Sequence, residues 1–154
     1  MGILNKTDEH FMAEALREAG KAFDADEVPV GAVVVCGDRI VARAHNLTER
    51  LTDVTAHAEM QAITAAASSL GGKYLTDCTM YVSLEPCVMC AGAMRWAQLK
   101  RLVYAADDEK QGFTKTSESL LHPRTVLKKG ILAQESARML KEYFQKKRRN
   151  RPLS

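Results

Sequence analysis

Two short runs of this sequence gather residue types able to hold a metal ion: His57-Ala58-Glu59 and Pro86-Cys87-Val88-Met89-Cys90. Each follows an extended or strand-like stretch and opens a segment of helical composition, so both sit at helix N-termini. Residues three apart on a helix project from the same face, which lets Cys87 and Cys90 offer both sulfurs to one ion. The unpaired N–H groups and the dipole of a helix start favour their thiolate forms. If the two helices begin side by side at one edge of a parallel sheet, His57 completes a set of one imidazole and two thiolates. That set suits a single Zn2+ per chain and leaves the fourth tetrahedral position to water, as a catalytic zinc requires. Zinc stabilises bound hydroxide well below the pKa of bulk water. Glu59 lies roughly 200° around an ideal helix from His57, so it overhangs the open position instead of ligating. There it can accept and return protons as a general acid–base. Attack of water on an amidine-like ring carbon with loss of ammonia fits these residues.

Other readings compete with this one. Cys87 and Cys90 could form a redox pair, or a structural zinc site completed by Cys36, Cys78, His45 or His122. Cys36 ends an apolar strand and Cys78 precedes one, positions of small core residues, and neither is placed to close the shell. Glu59 alone would read as a solvated first-turn glutamate, and it is His57 beside it that favours the catalytic role. Glu85, just before Pro86, is a rival proton carrier better suited to orienting the strand-to-helix turn. A zinc module without enzymatic activity that binds RNA through a basic tail would share the same cysteines. Glu59 separates the two.

The elements that must position these groups are legible in the spacing of apolar residues. Met12, Ala15, Leu16, Ala19 and Phe23 recur at helical intervals over 8–23, behind Thr7 or Asp8 as N-cap. Segments 28–36 and 39–44 are rich in β-branched residues and flank Gly37-Asp38, a hairpin turn. Segment 56–70 is an alanine-rich helix closed by Gly71-Gly72. A strand at 79–84, a helix at 87–98, a strand at 102–105, a polar loop or short helix over 107–123 and a strand at 124–128 follow. A closing helix over 132–149 carries Leu132, Met139, Leu140 and Tyr143 on its apolar face. Alternating strands and helices predict an α/β fold with a mixed sheet of about five strands and helices on both faces.

With 154 residues and 17.0 kDa, the chain fits one domain, 1–154, with one active site. Composition is 46% hydrophobic and 27% charged, which excludes disordered and fibrous classes. Residues 1–8 lack a signal-peptide core, and no segment is long enough to span a bilayer, so a cytoplasmic protein without membrane contact is expected. Net charge is only +3, but Lys141, Lys146, Lys147, Arg148, Arg149 and Arg151 crowd the C-terminal end. They could draw a phosphate backbone or simply be solvated.

His-x-Glu followed by Pro-Cys-x-x-Cys is the signature of the zinc nucleobase deaminases. With Glu27-Val28-Pro29-Val30-Gly31-Ala32, Ala44-His45-Asn46, Thr55-Ala56-His57-Ala58-Glu59, the run from Glu85 through Met94, and Gly130-Ile131-Leu132, the chain resembles the tRNA-specific adenosine deaminases of the cytidine deaminase-like superfamily over nearly its whole length. That resemblance implies a three-layer α/β/α sandwich whose first two strands are antiparallel and the others parallel. It also implies attack of a zinc-activated water on C6 of the wobble adenine in a tRNA anticodon, giving inosine, with an arginine tRNA as substrate and Glu59 as proton shuttle. By the same resemblance Asn46 binds the purine, Leu84 walls its pocket, and Asp108 and the helix around Phe144 contact neighbouring nucleotides. Asn46 could otherwise cap a turn, Leu84 and Phe144 could be core, and Asp108 could belong to a solvated acidic turn. A homodimer is implied, with helices next to the zinc sites at its interface. The chain departs from the best-known bacterial members between Gly112 and Lys128, where it is shorter and lacks their Gly-Ser-Leu and Asn-His-Arg. Deamination of a free base such as guanine or cytosine is the alternative.

Overall fold

The computed structural model describes residues 7–151. Along them run α1 (Asp8–Asp24), β1 (Gly31–Cys36), β2 (Arg39–His45), α2 (Ala58–Leu70), β3 (Cys78–Leu84), α3 (Val88–Ala97), β4 (Arg101–Ala106), a 3-10 turn at Phe113–Lys115, β5 (Val126–Lys129) and α4 (Ala133–Arg149). Residues 1–6, which hold most of the segment read for a leader, lie outside the described residues.

Alternation along the central strands decides the layering. Ala32, Val34, Met80, Val82, Leu102 and Tyr104 enter one buried cluster, shared with Ala58, Ala62 and Ala66 of α2 and Cys90, Ala91 and Met94 of α3. Their neighbours Val33, Val35, Tyr81, Val103 and Ala105 enter a second, against Phe11, Met12 and Ala15 of α1, with Ile131 and Leu132 packed on it ahead of α4. Strands apolar on both sides require a helical layer on each, and the expected three-layer α/β/α sandwich results. Gly31 marks how closely α1 lies on the sheet. A Cβ there would stand 2.1 Å from the carbonyl oxygen of Ala15, so only glycine fits.

The five strands are ordered β2-β1-β3-β4-β5. β1 pairs antiparallel with both β2 and β3, while β3, β4 and β5 are mutually parallel, so β1 alone opposes the other four. The hairpin is the two-residue turn expected at Gly37-Asp38, with Gly37 at φ 68°. This topology puts the C-terminal ends of β2, β3 and β4 on one edge of the sheet, where open α/β sheets bind ligands. Asn46, Leu84 and Asp108 all lie at or just beyond those ends.

Several boundaries differ from the sequence reading, each for a local reason. β1 starts at Gly31 instead of 28 because Pro29 cannot donate to a ladder and Val30 turns back to donate to the Val28 carbonyl at 2.8 Å. β5 begins at Val126 because Thr125 N–H closes a turn on the His122 carbonyl at 2.9 Å. Helices α2 and α3 start at Ala58 and Val88, since His57 and Cys87 are their extended N-caps.

The first turn of α1 is fastened to the sheet by one carboxylate. Asp8 accepts from Tyr81 Oη at 2.7 Å, from both Arg101 guanidinium nitrogens at 2.7 Å and from Lys128 Nζ at 2.8 Å, joining α1 to β3, β4 and β5. The Arg101 fork holds the Asp8 carboxyl well below the usual carboxylate range, with Lys128 and Tyr81 assisting against partial burial. A depressed folded-state pKa contributes stability that is complete above the unfolded value near 4 and is lost as pH falls below it. Asp8→Asn is therefore expected to destabilise the protein by about 2 kcal/mol at pH 7. In urea titrations the gap from the unmodified chain should narrow progressively below about pH 4. A gap of constant size down to pH 2 would show that the charge of Asp8 contributes nothing.

Candidate active site

Both metal-ligand segments use the same local device. His57 (φ −71°, ψ 152°) caps α2 and Cys87 (φ −76°, ψ 174°) caps α3. An N-cap residue has left the helical path, and its side chain folds back over the first turn. Cys87 therefore faces Cys90 at the third helical position, and His57 points across to both from the neighbouring helix. His57 Nδ1 lies 3.6 Å from Cys87 Sγ and 3.5 Å from Cys90 Sγ. Ligand bonds of about 2.3 Å to sulfur and 2.0–2.1 Å to nitrogen at tetrahedral angles demand a nitrogen-to-sulfur separation of roughly 3.6 Å. The three atoms thus have the spacing of a tetrahedral zinc shell with one position left over. Cys87 and Cys90 are unbridged thiols.

The proton affinities of the set agree with that fit. A hydrogen bond from the Cys90 thiol, with another from His57, pulls Cys87 down to about 4 despite its partial burial. The same bond to Cys87, together with burial, pushes Cys90 up, and Cys87 in turn raises His57. Three groups crowded around shared protons relieve that crowding by exchanging the protons for a cation. The donors fit Zn2+ in number, chemistry and spacing. Among the described residues, His57, Cys87 and Cys90 form the only such cluster.

Glu59 stands in the first turn of α2, buried and beside the Cys90 thiol. Burial pushes its carboxyl up to about 7, while its own backbone N–H and His57 act in the other direction. Because His57 caps the helix instead of occupying its first turn, the ideal-helix angle does not describe the pair. What keeps Glu59 out of the ligand shell is its place inside the helix, which directs it over the sulfur side.

His57, Glu59 and Cys87 lie on the wall of a cavity of about 490 Å³, whose remaining lining includes Asn46, Leu84 and Asp108. Three of the four residues assigned to substrate by resemblance therefore meet the metal-ligand set in one hollow. The Asn46 N–H is pinned to the Val30 carbonyl at 3.0 Å. Asp108 also forms the acidic turn that its neighbours suggested, since its Oδ1 accepts from the Lys110 and Gln111 N–H groups. Phe144, the fourth, is elsewhere. It is 44% exposed, edge-on to the buried Tyr143, and lines a separate cleft of about 590 Å³ with Lys146, Lys147 and Arg148. That cleft is roomier, but among the described residues the metal-ligating cluster lies at the smaller cavity, so we place the chemistry there.

The alternative ligands are accounted for. Cys36 faces Cys78 across β1 and β3 at the start of β3, roughly 20 Å of strand away from the ligand edge. His45 Nδ1 lies 3.4 Å from Glu18, and His122 Nδ1 accepts from the Arg124 N–H. Two residues that the sequence did not mark as structural are Glu27 and Gln61. Buried Glu27 takes the N–H groups of Glu49 and Arg50 at 3.0 and 2.7 Å, holding the loop between Asn46 and His57. Gln61 donates to the carbonyls of His45 and Ala56. The available signal for Glu27 was a carboxylate next to Val28-Pro29-Val30 at the edge of an apolar run.

The cytidine and deoxycytidylate deaminase zinc-binding region matches residues 5–106, a span that includes both ligand segments. A tRNA-specific adenosine deaminase of Agrobacterium fabrum is 43% identical over 144 residues, covering 90% of this chain and 95% of that protein. A structure from biochemical and structural studies of A-to-I editing by tRNA:A34 deaminases at the wobble position of transfer RNA superposes with TM-score 0.79. It shares 43% identity and covers 84% of this chain and 98% of that one. Guanine deaminase from Nitrosomonas europaea has the same fold at TM-score 0.81 and 25% identity, covering 92% of this chain and 86% of that one. With the zinc-binding region matched across both helix starts and such identity along most of its length, the chain belongs to the tRNA-specific adenosine deaminases within the zinc-binding cytidine and deoxycytidylate deaminases.

Proposed function

We propose that this chain deaminates the wobble adenosine of a tRNA anticodon to inosine, with an arginine tRNA bearing an ACG anticodon as substrate. The observation that carries this reading is the zinc-like spacing of His57, Cys87 and the buried Cys90, with His57 and Cys87 opening onto a cavity whose wall also includes Glu59 and Asn46. A cavity of about 490 Å³ accepts a single nucleoside turned out of its stack, not a duplex. His57, Cys87 and Cys90 would hold Zn2+, which when bound would supply the Lewis acidity that makes water nucleophilic near neutral pH.

The residues of the chain do the rest. Glu59 takes a proton from the attacking water and passes it to N1 of adenine as the new C6–O bond forms. It then takes the remaining proton from the C6 hydroxyl and delivers it to the exocyclic amine as the C6–N6 bond breaks and the C6 carbonyl forms, so that adenosine and water become inosine and ammonia. Asn46 hydrogen-bonds the purine, Leu84 forms an apolar wall against the ring, and Asp108 meets the adjoining nucleotide at the mouth. Phe144 and the basic end of α4 line the cleft that receives the flanking backbone, where phosphates meet Lys146, Lys147 and Arg148. With tRNA as substrate, the cytoplasm is the compartment this reading assigns. No described helix is long and apolar enough to cross a membrane.

A homodimer completes this reading. Val88 and Trp96 lie eight apart on α3 with Gly92 between them, on a face directed away from the sheet, and they are 51% and 83% exposed. A second copy covering that face would set one subunit beside the metal ligands of the other. Trp96→Glu is expected to yield a monomer in sedimentation velocity at micromolar concentration, where the unmodified chain runs as a dimer; two equal monomers would remove the dimer from the reading.

For the reaction, purified zinc-loaded protein is expected to convert the wobble adenosine of that tRNA to inosine, while Glu59→Gln keeps one zinc per chain and loses at least about a thousandfold in kcat. Failure on tRNA with release of ammonia from free guanine or cytosine would assign the chain to base deamination instead. Undiminished turnover in Glu59→Gln would refute the proton-shuttle role. Replacing Cys87 by Ser should release the metal, read as loss of bound zinc by elemental analysis.

A further inference from the structure

Glu85 takes no part in the chemistry above, yet its side chain is completely covered. A buried carboxylate must find donors, and Glu85 finds them in one loop. Oε1 accepts from the Asp108 N–H at 3.0 Å, and Oε2 accepts from the Thr114 N–H at 3.0 Å and the Thr114 hydroxyl at 2.6 Å. A single group therefore spans both ends of residues 108–114. The Lys115 ammonium stands 3.6 Å from Oε1. The same loop is stitched to the metal-binding turn by Phe113 N–H donating to the Pro86 carbonyl at 2.9 Å and by a bridge between Cys87 and Gly112. Gly112 lies directly on the carboxylate. A Cβ there would come within 2.2 Å of the Glu85 carboxyl carbon, so the loop can rest on this group only through a glycine.

We propose that Glu85 is a positioning residue: it fastens the 108–114 loop to the turn carrying Cys87, so that the mouth of the nucleoside cavity keeps a fixed register with the metal site. Asp108 and Gln111, both on the cavity lining, are set by this clasp, because the Asp108 carboxylate in turn holds the Gln111 N–H. Thr114 supplies two of the three donors of the clasp. The proposal rests on the assignment of the cavity to the substrate nucleoside; Glu85 borders that cavity, but its carboxylate is covered and spent on the loop.

The test uses the zinc-loaded full chain. Glu85→Gln is nearly isosteric but turns one acceptor into an amide donor that faces N–H groups. It is expected to raise KM for tRNA about tenfold while kcat stays within about twofold and zinc remains at one per chain. Hydrogen exchange at the amides of 108–114 should quicken by at least about tenfold. Thr114→Val should give part of the KM increase, Thr114→Ser should behave as the unmodified chain, and Gly112→Ala should reproduce Glu85→Gln. Loss of zinc, a fall in kcat with KM unchanged, or unaltered exchange in 108–114 would each overturn the clasp. Should Glu85→Gln fail to fold, the Thr114 pair and Gly112→Ala decide the matter by the same exchange measurement. An unmodified chain inactive on tRNA would defeat the substrate assignment, whereas the exchange result judges the clasp by itself.

Discussion

The structure depends on two helix starts meeting at one edge of the sheet with their N-cap residues facing each other. An N-cap side chain ordinarily satisfies one of the free N–H groups of its first turn, and here neither His57 nor Cys87 does so. Both caps are turned from helix stabilisation to ligation, and the two helices lose about 1 kcal/mol each relative to an oxygen cap. What they gain is a donor set held at 3.5 and 3.6 Å by backbone that the sheet fixes on either side. Metal affinity then offsets the loss, and the folded state and the loaded state become linked.

A floor of this precision is useful only if the walls above it hold their place. Two buried carboxylates do this on opposite rims, each by accepting N–H groups from a loop that makes no sheet. Glu27 takes two from the 46–57 loop, and Glu85 takes two, with a hydroxyl, from the 108–114 loop. A carboxylate accepts several hydrogen bonds at once, and bonds to a charged acceptor are stronger than neutral ones, so one side chain can order a loop that lacks a core of its own. Burial raises the proton affinity of Glu85, yet the donors from Thr114 and Asp108 outweigh it and keep the group below the ordinary glutamate value. The rims are thus tied by charge and the floor by coordination.

This division explains what could be read from residues alone. Central strands announced themselves because both faces are apolar, and the layering followed from their alternation. His57, Cys87, Cys90 and Glu59 were legible because ligand chemistry restricts the residue types and helix geometry restricts the spacing. The true start of α2 was hidden, since Ala56 and His57 have the composition of a helix, yet the His57 N–H turns back to the Thr55 carbonyl and its backbone is extended. Glu27 and Glu85 were harder still. Their partners are backbone N–H groups more than 20 residues away, and a backbone donor has no residue type to signal it. Phe144 shows the opposite limit: its helical position was correct, but amphipathic spacing could not say that Tyr143 takes the core and leaves its neighbour on the basic cleft.

The segment between Gly112 and Lys128 divides in two under the same arrangement. Residues 115–119 beyond the clasp are exposed, and they rejoin the fold where Arg95 donates to the Ser119 and Leu121 carbonyls and Leu121 is buried. Between those two anchorages Lys115, 3.6 Å from Glu85 Oε1, reaches back toward the clasp. At the clasp itself Gly112 has no space for a side chain, and Thr114 presents both an N–H and a hydroxyl. The stretch that faces the cavity is held by contacts whose loss would be felt at its mouth before it reached the zinc ligands.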